Sequence, residues 1–221
     1  MYKKRGFQNA DKAELLGVGN WDIPIINGYD FDVNKWQKAV GESVGFNYCK
    51  SYANKGIDTK NIIVEAFQDD YQLTRLWNRP DNYIEMLKKY KAVCSPDFSL
   101  YTDHPKALQL WNHYRKHWLG AYWESRGINV IPTICWSDSA SFEWCFDGEP
   151  KGSIVAVSTK GTQGNQTAKE RFYAGYYQML KRLEPKKILL FGNNPGALDG
   201  DVIEMGYDSV QGILQRKLGG K

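Results

Sequence analysis

Apolar residues along this chain fall into short runs, and each run ends on a polar residue able to do chemistry. Residues 62–67 lead into Gln68, Asp69 and Asp70; residues 91–94 lead into Ser95, Pro96 and Asp97; residues 129–136 lead into Ser137 and Asp138. Residues 153–157 lead into Ser158 and Thr159, and residues 187–191 into Gly192, Asn193 and Asn194. Short, continuous apolar runs of this kind suit strands buried on both faces, as in a parallel sheet. The segments between them read mostly as helices. In a parallel sheet with helical crossovers such run-ends share one rim, which brings residues distant in sequence together.

The helical segments have recognisable limits. Residues 32–40 place Val33, Trp36, Ala39 and Val40 on one side. Residues 70–77 start a helix that Pro80 interrupts, and 81–90 resume one through Tyr83, Ile84, Leu87 and Tyr90. The longest helix is expected over 105–126, with Asp103 as its cap, Pro105 at its start and Gly127 at its stop. Leu108, Trp111, Tyr114, Trp118, Ala121 and Tyr122 mark its expected buried face. A short helical turn at 141–146 precedes an Asp147-Gly148-Glu149-Pro150 turn, and a further helix covers 167–183. Residues 21–26 (containing Pro24), 41–49 and 202–205 offer additional short strands, and 51–59 reads as a loop.

Alternating strands and helices predict an α/β fold of mostly parallel strands. Six or seven strands in 221 residues fit a small or incomplete (β/α) barrel; an open doubly wound sheet is the alternative. The expected organisation is an N-terminal arm over 1–20, a single α/β domain over 21–211 and a flexible basic tail over 212–221. No internal repeat and no linker divides the chain.

Composition narrows the function classes. A net charge of +4 permits nucleic-acid contact without arguing for it. No apolar run approaches the roughly 20 residues that span a bilayer, and no apolar signal region follows the basic N-terminus, so a cytoplasmic location with no membrane partner is expected. Cys49, Cys94, Cys135 and Cys145 are widely spaced with no CxxC pair, which fits free thiols in a reducing compartment.

Several uncommon strings occur in a fixed order. They are residues 69–80 (DDYQLTRLWNRP), 95–103 (SPDFSLYTD), 111–115 (WNHYR), 130–133 (VIPT), 141–148 (SFEWCFDG) and 155–159 (VAVST). With them the chain resembles the family called domain of unknown function 4417, over roughly Gly19 to Asn194. That family occurs in bacteria, phages and integrated mobile elements. The resemblance implies an intracellular protein carried by a phage or mobile element, and it brings no catalytic residues with it.

The candidate site therefore rests on the residues. Asp69, Asp70, Asp97 and Asp138 follow successive strands; converging, they would hold Mg²⁺ or Mn²⁺ or form an acid–base pair. Each is equally suited to capping a helix or tying down a loop. Ser158, Thr159 and Asn193 are the expected ligand-orienting residues. The Gly-containing loop after Ser158 can present N–H groups to a phosphate, although it is not a P-loop. His113 and His117 share a helix face and could chelate zinc, but with Lys106, Arg115, Lys116 and Arg126 nearby that face reads as solvated. Arg115 and Lys116 are its candidate contacts to nucleic acid or another anion. Two functions follow. One is a small α/β enzyme, with or without a metal ion, acting on a phosphorylated or sugar-containing ligand at the strand rim. The other is a non-catalytic mobile-element protein that binds a host protein, nucleic acid or signalling nucleotide, as a replication accessory or counter-defence protein would.

Overall fold

The computed structural model describes residues 8–9, 12–39 and 41–205. The expected tail at 212–221 lies outside the described residues, as do Val40 and part of the expected N-terminal arm. Within that arm, β1 (Gly17–Val18) pairs antiparallel with β2 (Ile23–Pro24). Asn9 is buried and donates to the Trp77 carbonyl at 2.8 Å. The described part of the arm is thus tied to the body of the protein.

The body alternates as its apolar runs predict. In chain order come α1 (Val33–Lys38), β3 (Glu42–Gly45), α2 (Cys49–Asn54), β4 (Ile62–Glu65), α3 (Asp70–Asn78), α4 (Ile84–Leu87) and β5 (Ala92–Cys94). They are followed by α5 (Lys106–Ser125), β6 (Val130–Ile131), β7 (Ile154–Ser158), α6 (Gln166–Leu183), β8 (Lys187–Phe191) and β9 (Val202–Glu204). Strands β3, β4, β5 and β6 form one parallel sheet in that order, and β7, β8 and β9 form another. The segment after β6 joins the two. Thr133 bridges Ala156 in parallel, the Ala156 N–H donates to the Pro132 carbonyl at 2.9 Å, and the Ile134 N–H donates to the Ala156 carbonyl at 2.9 Å. Strand order therefore follows chain order from β3 to β9. Among the described residues no pairing joins β3 to β9, so the sheet is not closed into a barrel.

Successive strand residues point to opposite faces, and both faces are apolar. Val44, Ile62, Val64, Val93 and Val130 pack under the helices with Leu73, Leu76, Trp118 and Trp123. Val155, Val157, Ile188 and Leu190 pack against Phe172, Tyr176 and Met179 of α6. The alternate residues Ile63, Cys94, Ile131, Ala156, Leu189, Phe191 and Ile203 form a third cluster, joined by Val33 and Trp36 of α1. That cluster draws on six strands, and it brings the Phe67 and Phe191 rings to 4.9 Å between centroids.

Local expectations hold in several places and fail in others. Asp32 caps α1 by accepting from the Lys35 N–H at 2.9 Å, as its position predicts. Part of the expected loop at 51–59 is helical instead, because Cys49 and Tyr52, three apart, both bury a side chain against the core. Asp103 does not cap α5, whose first turn starts from Pro105 with no side-chain cap. Leu108 is 40% exposed, so it does not belong to the buried face of that helix.

The largest correction concerns the polar face of α5. Gln109, Asn112, His113, Lys116 and His117 are all buried, and Lys116, His113 and His117 are 0% exposed. The helix is covered on both sides: its aromatic stripe packs with α3, and its polar stripe packs against the turn at 147–150. The expected solvated, basic surface is an internal layer. Lys116 is out of reach of any macromolecular partner, and Arg115 is half-buried with its guanidinium 3.7 Å above the Phe98 ring.

Candidate functional site

The C-terminal ends of β5, β6 and β7 surround a cavity of about 280 Å³, lined by Asp97, Cys135, Trp136, Ser158, Lys160 and Arg171 among others. The strand ends are fixed to one another by hydrogen bonds. The Ser95 hydroxyl accepts from the Thr133 N–H at 2.8 Å, and the Thr133 hydroxyl donates to the Ser95 carbonyl at 2.6 Å. The Asp97 N–H donates to the Ala66 carbonyl at 3.2 Å, which sets Asp97 at the rim. On the next strand pair, the Thr159 N–H donates to the Phe191 carbonyl at 2.9 Å, and its hydroxyl donates to the Asn193 carbonyl at 2.9 Å. That bond anchors the 158–165 loop to the end of β8.

Asp97 has the most informative electrostatics. Burial pushes its pKa up to about 6, helped by the Asp70 charge and opposed by Lys116, Cys135 and Lys160. Glu65, the last residue of β4, is also raised, chiefly by burial. Its carboxylate accepts from the Phe67 N–H at 2.8 Å and faces the Gln68 amide. Burial raises the Cys135 thiol well above its ordinary range, so it lines the cavity as a neutral group.

The four expected carboxylates do not converge. Asp70 accepts from the Ser99 N–H at 3.0 Å and hydroxyl at 2.9 Å, and lies 3.9 Å from Arg115, so it clamps the loop after β5 to the first turn of α3. Asp138 accepts from the Ala140 N–H at 3.0 Å and caps the short turn of helix at Ser139–Glu143. Asp69 is exposed at the start of α3. Of the four, Asp97 lines the cavity. Ser158 lines it too, and its hydroxyl accepts from the Lys160 N–H at 3.1 Å. Thr159 is buried behind the loop, and Asn193 is exposed beyond it. Among the described residues no three His, Cys, Asp or Glu side chains are placed to hold a metal ion together.

Sequence reasoning missed Lys160, Arg171 and Trp136 as cavity residues. Lys160 was in view as part of the loop after Ser158. Arg171 had no signal, since its place at the rim depends on the direction of α6. Sequence reasoning also missed the ionic cluster behind the cavity. Glu149 Oε1 accepts from Lys116 Nζ at 2.7 Å and lies 2.9 Å from His117 Nε2, with all three side chains fully buried. Lys116 Nζ also donates to the Thr133 carbonyl at 2.8 Å and lies 3.8 Å from Cys135 Sγ. Burial opposes the Lys116 charge, and the Glu149 and Asp97 carboxylates favour it. Burial likewise opposes the Glu149 charge, and Lys116 and His117 bring its pKa below the usual carboxylate range. His117 Nδ1 is 2.9 Å from the Pro24 carbonyl, which can only accept, so that nitrogen carries a proton. Burial pushes the His117 pKa down; even so, one proton must lie between Nε2 and Glu149. Gly148, at φ +77°, turns the chain so that Glu149 reaches under α5.

Among the described residues no helix is long and apolar enough to cross a membrane. The chain is 42% identical over 139 residues to the "Gene 1 protein" of Mycobacterium phage L5, a match covering 63% of this chain and 61% of that protein. It is 40% identical over 126 residues to the "Gene 1 protein" of Mycobacterium phage D29, covering 57% of this chain and 47% of that protein. The match thus spans about half to three fifths of the length of these curated relatives. No solved structure matches the chain. Residues 18–208 match the family described as "Domain of unknown function (DUF4417)", and the chain belongs to that family.

Proposed function

We propose that this chain is a small enzyme acting on a phosphorylated ligand, bound at the strand rim of an incomplete (β/α) barrel, with Asp97 as general acid–base. The barrel reading is supported by strand order that follows chain order and by a core cluster shared by six strands on one face. An open doubly wound sheet would reverse its strand order at a switch point.

The observation that carries the function is Asp97, a carboxyl with a pKa of about 6 in a cavity that also holds Lys160 and Arg171. A carboxyl in that range is partly protonated near neutral pH and can both take and return a proton. Two cationic side chains with the Ser158 and Thr162 hydroxyls suit the charge and oxygen geometry of a phosphate. Rim residues on loops, held by a rigid sheet, are where such folds place their chemistry.

A thermal-shift screen of the full chain tests this reading. The panel would hold inorganic phosphate, sugar phosphates, mono- and cyclic nucleotides, short oligonucleotides, Mg²⁺ and Mn²⁺. A phosphorylated class should raise the melting temperature, and Lys160→Ala should abolish the rise. Phosphorus NMR of that mixture should show turnover by the parent and none by Asp97→Asn. Binding without turnover by the parent would replace the enzyme with a ligand-binding protein. No shift with any phosphorylated probe would overturn the phosphate assignment.

A further inference from the structure

We infer that the cavity takes a nucleoside monophosphate, with its flat heterocycle against Trp136 and its phosphate at Lys160 and Arg171. This inference rests on the phosphate reading above and names the ligand class.

The cavity lining combines two chemistries. One is cationic, through Lys160 and Arg171, and Arg171 is held at the rim by a hydrogen bond to the Thr102 hydroxyl at 3.2 Å. The other is aromatic. The Trp136 and Phe172 rings lie 5.7 Å apart between centroids, and Tyr101 stands at the same cavity 55% exposed. The Trp136 indole is fixed in place. Its N–H donates to the Arg171 carbonyl at 3.1 Å, and the ring lies across Gly175 so closely that a Cβ there would fall 2.1 Å from Nε1. Glycine in the middle of an 18-residue helix costs stability; here it leaves room for an indole laid on the helix beside the cavity. A fixed, partly exposed aromatic wall is what a planar base stacks on.

A second observation points independently to a ligand. Ser137 lines the cavity at 4% exposure, and its hydroxyl has no hydrogen-bond partner among the described residues. Its backbone N–H is already taken by the Ser141 hydroxyl at 3.0 Å. A buried hydroxyl without a partner is unfavourable. The polar edge of a base stacked on Trp136 would supply the missing partner. Size limits the ligand: about 280 Å³ lies just below the roughly 300–1,000 Å³ range of ligand sites, which suits one nucleotide and not an oligonucleotide.

Calorimetric titration of the full chain separates the possibilities. The probes are the four common nucleoside monophosphates, the matching nucleosides, ribose 5-phosphate and inorganic phosphate. At least one monophosphate should bind about tenfold or more tightly than ribose 5-phosphate. Trp136→Ala should remove that margin while leaving ribose 5-phosphate affinity unchanged, and Trp136→Phe should restore much of it. Ser137→Ala should weaken the preferred monophosphate and spare ribose 5-phosphate. Equal affinity for monophosphates and ribose 5-phosphate would overturn the nucleotide assignment and leave the phosphate reading standing. Nucleosides binding as tightly as their monophosphates would overturn the phosphate reading instead. Silence from every probe would overturn both.

Discussion

Two regions of this protein hold charged side chains within reach of one another, and they differ in whether those charges are sealed from solvent and paired. Behind the strand rim, Lys116, Glu149 and His117 are sealed at 0% exposure, and the Lys116 ammonium has both a carboxylate and a carbonyl as acceptors. At the rim, Lys160 and Arg171 stand exposed beside Asp97, whose pKa is pushed up to about 6 because its charge is poorly accommodated. The first region joins α5 to the turn at 147–150 and to the segment after β6. The second lines the open cavity, with Arg171 reaching the Thr102 hydroxyl. Charges sealed and paired serve the fold; charges left poorly matched in an open cavity suit a ligand. Mutation should therefore separate the two regions cleanly.

The largest effect is expected at Glu149. Removing it by Glu149→Ala leaves Lys116 buried without its carboxylate, and should cost about 3–5 kcal/mol, read as the urea unfolding free energy. The double variant Lys116→Met with Glu149→Gln should recover more than half of that loss, because no unpaired charge then remains in the interior. A mild effect of Glu149→Ala, or no recovery in the double variant, would break the distinction between sealed and open charges.

This cluster also explains what could be read along the chain and what could not. The strands were legible because both faces of each are buried: Ile154, Ala156, Leu189 and Phe191 face one cluster, Val155, Val157, Ile188 and Leu190 another. For the same reason the curl of the sheet was not legible, since a run apolar on both faces looks alike in a barrel and an open sheet. On α5, Gln109, Asn112, His113, Lys116 and His117 recur at three- and four-residue spacing, the pattern of a solvent face. Lys116 and His117 are buried against Glu149, 33 residues from Lys116, arriving from a turn that carries no periodic signal, and Asn112 against the Ser99 carbonyl. At the rim, Asp70 and Asp97 shared one signature, a carboxylate just past an apolar run. Only the loop that brings Ser99 onto Asp70 separates an anchor from a cavity residue.

Two glycines sharpen the comparison, because their φ angles are nearly identical. Gly148 sits at φ +77° in the sealed region and Gly161 at φ +76° in the rim loop. An alanine at either position is strained in that left-handed conformation by about 1 kcal/mol. At Gly148 the new Cβ would also fall 2.5 Å from the Pro24 carbonyl oxygen and 2.7 Å from His117 Nδ1, whereas at Gly161 it would meet nothing within 4 Å among the described residues. Gly148→Ala should therefore cost about 2–4 kcal/mol and Gly161→Ala about 1 kcal/mol, both read by urea denaturation. Equal losses would mean that the two loops are constrained alike.

The smallest effect tests the open region by its pH dependence. A carboxyl whose pKa rises from 3.8 toward about 6 on folding binds more protons in the folded chain than in the unfolded one. Its contribution is therefore favourable to folding below pH 3.8, declines as pH rises between those values, and stays at its least favourable above pH 6. Asp97→Asn cannot ionise and escapes that decline. Relative to the parent, its melting temperature should be raised at pH 7.5 by a few degrees, roughly what 1 kcal/mol produces in a chain of this size, and the difference should shrink steadily toward pH 4. A stabilised variant that has lost turnover is what is expected where a residue is kept for chemistry at the expense of stability. A loss of stability at pH 7.5 would instead class Asp97 with Asp70, as a carboxylate that holds a loop, and would leave the rim without its acid–base group.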